Sequence, residues 1–147
     1  MINIRNQKEI NLIKESSGMV FDVLESLNEL ITPGASPKDL DSFAENYIKN
    51  NGGTPAFKGY MGFPSTLCIS VNEEVVHGIP SERLLKNGDI VSIDCGVLKN
   101  GFYGDSARTY AVGKISKELN NLLDVTKKSL SLGIKSAKTG GRLSDIG

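Results

Sequence analysis

Asp94 and Asp105 flank the stretch CGVLKNGFYG, and the chemistry that two carboxylates so spaced could perform is the clamping of a metal ion. Asn100-Gly101 is the strongest short turn signal in the chain, because both residues tolerate the positive φ that a two-residue type I′ turn requires. Such a turn pairs Lys99 with Phe102, Gly96 with Asp105, and Asp94 with Ala107. Side chains alternate faces along a strand, so Asp94, Gly96, Asp105 and Ala107 share one face, with the aspartates diagonal neighbours roughly 7 Å apart. Their carboxylates could approach to about 5 Å.

Two anions about 5 Å apart repel by roughly 3 kcal/mol at an effective dielectric near 20. Flanking Val91, Ile93 and Val97 argue against solvation by bulk water. That leaves a shared proton, a neighbouring cation such as Arg108, or a bound metal to offset the repulsion. The small residues Gly96 and Ala107 leave room beside the carboxylates for an ion or ligand. The plain alternative is that one aspartate pairs with Arg108 while the other caps a turn.

Positioning such a pair takes a folded scaffold, and 147 residues, 39% of them hydrophobic, suffice for one domain with a core. Seventeen basic residues balance seventeen acidic ones, so no basic excess points to nucleic acid. The N-terminus, MINIRNQKEINLIKE, is polar and amphipathic, without the apolar stretch of a signal peptide. No segment approaches the roughly 20 apolar residues of a membrane span, which makes the cytoplasm the expected location. Cys68 and Cys95 lack metal-ligand spacing and lie in strand-like apolar runs, which predicts buried free thiols.

The pattern from about 6 to 31 places Ile10, Ile13, Val20, Leu24, Leu27 and Ile31 on a helical stripe that ends at Thr32-Pro33-Gly34. A second helix opens at Ser36, with Pro37 in its first position, and repeats Leu40, Phe43, Ala44, Tyr47 and Ile48 on one face. Strands follow at TLCISV (66–71), EVVHG (74–78) and the aspartate hairpin (89–112), which together predict an antiparallel sheet. A long helix capped by Ser116 then carries Leu119, Leu122, Leu123, Leu130 and Ile134. The joint Thr32, Gly34, Asp39, Leu40 has an echo in Thr139, Gly141, Asp145, Ile146, as though a second copy of the fold were beginning. On that reading the chain is a fragment of a protein of very roughly 250 residues.

Three segments taken together, PAFKGYMGFPSTLCISVN at 55–72, VNEEVVHGIP at 71–80 and GDIVSIDCGVLKNGFYGDSARTYAVG at 88–113, closely resemble the type I methionine aminopeptidases. The resemblance runs over essentially all 147 residues. It implies an α+β pita-bread fold, two pseudo-symmetric halves of helices and antiparallel strands, of which 1–147 is the first and part of a single catalytic domain. It also implies removal of the N-terminal methionine from nascent polypeptides by a cytoplasmic metalloprotease carrying two divalent ions, Co, Mn, Fe or Zn. Asp94 and Asp105 fall on two of the family's five ligand positions, Asp105 on the bridging one, while a His and two Glu are expected from the second half. His77 falls on the histidine that contacts substrate and assists catalysis, and Phe57, Tyr60 and Phe63 lie where the family houses the methionine side chain. Phe57 and Met61 stand where relatives often carry Cys and His, and Gly96 where some carry Thr. Ribosome association, a monomeric full-length enzyme, no membrane attachment and no direct nucleic-acid binding complete the expectation. The competing readings are a non-catalytic pita-bread binding protein and a proline-type or creatinase-type hydrolase of the same fold.

Overall fold

In the computed structural model, which describes residues 3–147, the chain divides into two compact units, Met1–Lys114 and Ile115–Gly147. The first unit opens with α1 (Gln7–Asn28), whose N-terminus is closed reciprocally by Asn6 and Glu9: the Glu9 amide donates to Asn6 Oδ1 at 3.0 Å, and the Asn6 amide to Glu9 Oε2 at 2.8 Å. Its buried face is Ser16, Met19, Val20, Val23, Leu24 and Leu27. The sequence stripe holds from Val20 onward, but Ile10 is exposed and Ile13 only half-buried, because the first turns of α1 run past the edge of what they cover. Helix α2 (Pro37–Asn50) begins as predicted, with Ser36 Oγ accepting from the Asp39 amide at 3.3 Å, and buries Leu40, Ala44 and Ile48.

Four antiparallel strands follow: β1 (Thr54–Pro55), β2 (Leu67–Val71), β3 (Ile90–Lys99) and β4 (Phe102–Ala111). Strand β3 is the common partner of the other three. The hairpin register is the predicted one, with Lys99 opposite Phe102, Gly96 opposite Asp105 and Asp94 opposite Ala107. Asn100 (φ 52°) and Gly101 (φ 81°) both take the left-handed backbone that a type I′ turn demands. The two-residue β1 has no sequence signature, because a Thr-Pro pair in a Gly-rich stretch reads as loop.

One expected strand is absent. EVVHG turns back on itself, since the Glu74 amide donates to Val71 O (3.2 Å) and the Glu74 carboxylate accepts from the Val71 amide (2.8 Å). Val76 (φ 31°) and His77 (φ 53°) then leave the extended region altogether. The segment rejoins β2 only at Gly78, whose carbonyl accepts from the Ile69 amide at 2.9 Å. A Cβ at position 78 would sit 2.2 Å from Ile69 O, so only glycine permits that approach.

The core lies on the sheet face covered by α1 and α2. Leu67, Ile69, Val71, Val91, Ile93, Cys95, Val97 and Tyr110 meet Val20, Val23, Leu24, Leu27, Leu40, Ala44 and Ile48 there. Polar contacts lock α1 to the hairpin: Ser16 Oγ donates toward the carbonyls that flank the turn, Phe102 O (2.9 Å) and Lys99 O (3.2 Å), and Tyr110 Oη donates to Leu24 O (2.7 Å). In the second unit, α3 (Lys117–Ser136) is capped by Ser116 Oγ, which accepts from the Leu119 amide at 3.2 Å, and a 3₁₀ turn spans Leu143–Asp145 where a helix start was expected. None of the α3 residues is buried, and the expected stripe stays largely exposed, with Leu130 at 64% and Ile134 at 65%.

Gly104, at the α1–β4 contact, and Gly18, on the exposed side of α1, should respond to alanine with opposite sign. A Cβ at Gly104 would lie 2.6 Å from backbone atoms of Ser16 and Ser17, so Gly104→Ala is expected to cost about 1–3 kcal/mol through displacement of the helix. A Cβ at Gly18 meets nothing within 4 Å, and Gly18→Ala is expected to stabilise by about 0.5–1 kcal/mol as a helix-interior replacement. Urea denaturation of both variants checks the pair of signs.

Candidate metal centre

The strand register assembles a polar face opposite the core. Residues directly opposite one another share a face, so Asp94 stands level with Cys68 of β2 and Ala107 of β4, with Gly96 and Asp105 as the next pair along. Ser92 and Thr109 form the pair on the other side and join hydroxyls at 2.8 Å. Val91, Ile93 and Val97, expected to shield the aspartates, instead point into the core on the opposite face.

The electrostatics there are unbalanced. Burial, and then the charge of Asp105 beside it, push the Asp94 carboxyl above its ordinary 3.8, while His77 and the Cys95 amide pull in the other direction. Asp94 Oδ1 is buried and has no hydrogen-bond partner among the described residues. Arg108 does not relieve it: the guanidinium lies on the other face, 2.5 Å from Glu25 and stacked 5.9 Å from the Phe21 ring centroid. Asp105 sits mid-strand, so neither half of the pairing-and-capping alternative holds. An orphaned, half-buried carboxylate oxygen facing a second carboxylate is the donor set a divalent cation fits.

His77 reaches the same place from a different element. The turn at Val76-His77 is tied to β2 through Gly78, whose amide donates to Ser70 Oγ at 3.2 Å and whose carbonyl binds Ile69. The exposed imidazole is thereby close enough to Asp94 to act on its carboxyl. Among the described residues no group of three or more His, Cys, Asp or Glu side chains is arranged to hold an ion.

The aromatic loop is attached at Gly96, whose carbonyl accepts from the Ala56 amide at 2.9 Å. Phe57 is half-buried with its ring against Gly96, beside the aspartates. Phe63 is half-buried and Tyr60 is 69% exposed on the 3₁₀ turn Tyr60–Gly62, which Gly59 (φ 88°) and Gly62 (φ 83°) make possible. Among the described residues the one aromatic pair is Phe43 with Tyr47, at 6.1 Å, so Phe57, Tyr60 and Phe63 do not stack on each other.

Sequence reasoning did not place Cys68 on this face. Periodicity marks TLCISV as a strand, but which residues turn toward the aspartates depends on its register against β3. Both cysteines are free and buried, as expected. Burial, then Asp94 and Asp105, push the Cys68 thiol up to about 11, so it stays protonated in the ion-free protein.

The sequence model of metallopeptidase family M24 matches residues 11–147. The chain belongs to that family. It is 48% identical over 147 residues to a methionine aminopeptidase of Clostridium acetobutylicum and 50% identical over 146 residues to methionine aminopeptidase 1 of Bacillus subtilis. Each alignment takes in 99% of this chain and 59% of the relative, so the chain spans about three-fifths of the length of these curated relatives. The crystal structure of methionine aminopeptidase from Thermotoga maritima superposes with a TM-score of 0.96 at 40% identity, over 99% of this chain and 59% of that one. A prolidase from Pyrococcus furiosus, at 24% identity and TM-score 0.86, shares the fold. The helices and antiparallel sheet are thus the corresponding portion of the α+β pita-bread fold, and membership in a metallopeptidase family implies divalent metal ions. No helix among the described residues is long and apolar enough to cross a membrane.

Asp94 holds its proton more tightly folded than unfolded, so its contribution disfavours the folded state increasingly as pH rises from 3.8 through the raised native value. A cation bound by the pair removes that penalty. In thermal melts Mn²⁺ is expected to raise Tm at neutral pH, with the increment shrinking as pH falls toward 3.8. Asp94→Asn should raise the ion-free Tm and abolish the increment; an unchanged increment in that variant contradicts the site.

Proposed function

We propose that residues 1–147 form the N-terminal part of a single methionine aminopeptidase catalytic domain, which hydrolyses the first peptide bond of polypeptides beginning with methionine. The observation that carries this reading is the unpartnered, half-buried Asp94 oxygen facing Asp105 on one sheet face. Identities of 48% and 50% to proteins named methionine aminopeptidase support it.

In this reading Asp94 and Asp105 hold two divalent ions together with a His and two Glu expected from the portion of the relatives that this chain does not span. Bound ions of this kind supply Lewis acidity and lower the pKa of a water molecule into the neutral range. The metal is Co, Mn, Fe or Zn, all of which take carboxylate and imidazole donors. His77 lends a hydrogen bond to the scissile amide and moves a proton there, held in place by the Gly78 attachments to β2. Phe57, Tyr60 and Phe63 receive the methionine side chain, since aromatic edges suit a thioether. The enzyme acts in the cytoplasm on nascent polypeptides, with ribosome association and a monomeric state as further parts of the proposal.

Release of methionine from Met-Ala peptides by the full-length protein is the direct test. Asp94→Ala or Asp105→Ala should abolish turnover, and His77→Ala should lower kcat by about 10²–10⁴ with the fold intact. Undiminished activity in either aspartate variant sinks the assignment. The 147-residue chain assayed alone with added Mn²⁺ or Co²⁺ should show little or no turnover; a rate near that of the full-length enzyme would overturn the partial-site reading.

A further inference from the structure

Gly96 is an anomaly in β3. It sits in the middle of a strand that pairs along its length, a position where glycine weakens a sheet and commonly marks the close approach of another group. Its backbone gives no reason for glycine, because it is absent from the positive-φ residues. The reason is steric. A Cβ built at position 96 would lie 2.5 Å from Cε1, 2.9 Å from Cζ and 3.0 Å from Cδ1 of Phe57, three consecutive atoms along one edge of the ring.

Strand alternation fixes which face this is. Gly96 is directly opposite Asp105 and shares the face of Asp94, so the missing Cβ points to the aspartate side and the ring edge occupies its place. The ring is half-buried. Its backbone is held on both sides: the Ala56 amide donates to Gly96 O at 2.9 Å, and Phe57 O accepts from the Tyr60 amide at 3.0 Å. Phe57 is therefore a wall standing beside Asp105, and Gly96 is the seat that lets it stand there.

We propose that the Gly96 seat and the Phe57 ring together set the size and placement of the side chain accepted beside the aspartates, favouring an unbranched apolar chain such as methionine and rejecting bulkier ones. Gly96 is the positioning residue, acting through the ring. This rests on the aminopeptidase reading for its substrate, whereas the seat itself rests on the packing alone.

The test compares Gly96→Ala, Phe57→Ala and the double variant in the full-length enzyme on Met-Ala and Phe-Ala peptides. Gly96→Ala must move the ring by roughly 1 Å, a displacement expected to lower kcat/KM for Met-Ala by about 10–100-fold, mainly through KM. Phe57→Ala removes the wall and should raise kcat/KM for Phe-Ala relative to Met-Ala. In the Phe57→Ala background, Gly96→Ala should change kcat/KM by no more than about 2-fold, because the clash has gone. An equal cost of Gly96→Ala in both backgrounds overturns the proposal, since the effect would then belong to the strand and not to the ring.

An NMR readout separates the seat from the activity. The Gly96 α-proton resonances, assigned in glycine-labelled full-length protein, should be ring-shifted in the unsubstituted protein and lose that shift in Phe57→Ala. Shifts identical in the two proteins overturn the seat even if the enzyme is active. Absence of turnover by the unsubstituted enzyme overturns the aminopeptidase reading and the side-chain selection built on it, with the proton shifts then deciding the seat.

Discussion

The register of β3 against β4 is the constraint on which the site depends. Side chains alternate with a period of two, so a slip of one residue would send Asp94 into the core and bring Ile93 or Cys95 to the surface. Three independent devices hold it. The Asn100-Gly101 turn admits one pairing, β2 matches Val91–Cys95 residue for residue, and the Ser16 hydroxyl of α1 reaches the carbonyls on either side of the turn. Gly104 completes the arrangement by letting the helix backbone rest on β4. A helix far away in sequence thus decides where two carboxylates meet.

The two faces of the sheet obey opposite rules. One face is closed by α1 and α2, and its few polar groups are matched: Tyr110 donates to Leu24 O, and Arg108, at the margin, is neutralised by Glu25. The other face carries Asp94 and Asp105 together, with Asp94 Oδ1 unpartnered among the described residues. Apolar burial on the first face supplies the free energy that tolerates the electrostatic cost on the second. Such an imbalance, maintained on a rigid strand pair, sets this face apart from an ordinary surface ion pair.

Backbone that departs from regular geometry does the rest of the positioning. His77 arrives on a turn with two consecutive left-handed residues, which takes it out of the strand path. The aromatic loop needs Gly59 and Gly62 for the same reason, and its attachment to β3 works because Gly96 has no side chain. These segments share no regular element, yet all converge on the face bearing Asp94.

Much of this was legible in the residues alone. The two opening helices, the hairpin with its register and the shared face of the aspartates followed from periodicity, caps and one turn dipeptide, because those signals are local and each is enforced within a few residues. The three family segments carried the resemblance to metallopeptidases for a similar reason: ligand and substrate chemistry demands particular residue types in a particular order. Tertiary structure alone decided which side of Asp94 is sheltered, that Arg108 belongs to Glu25, that Cys68 stands level with the aspartates, that EVVHG bends away from the sheet, and that Phe57 occupies the space of a missing Cβ. Each of these depends on how one element lies against another distant in the chain, and a local pattern holds no record of the partner it will meet.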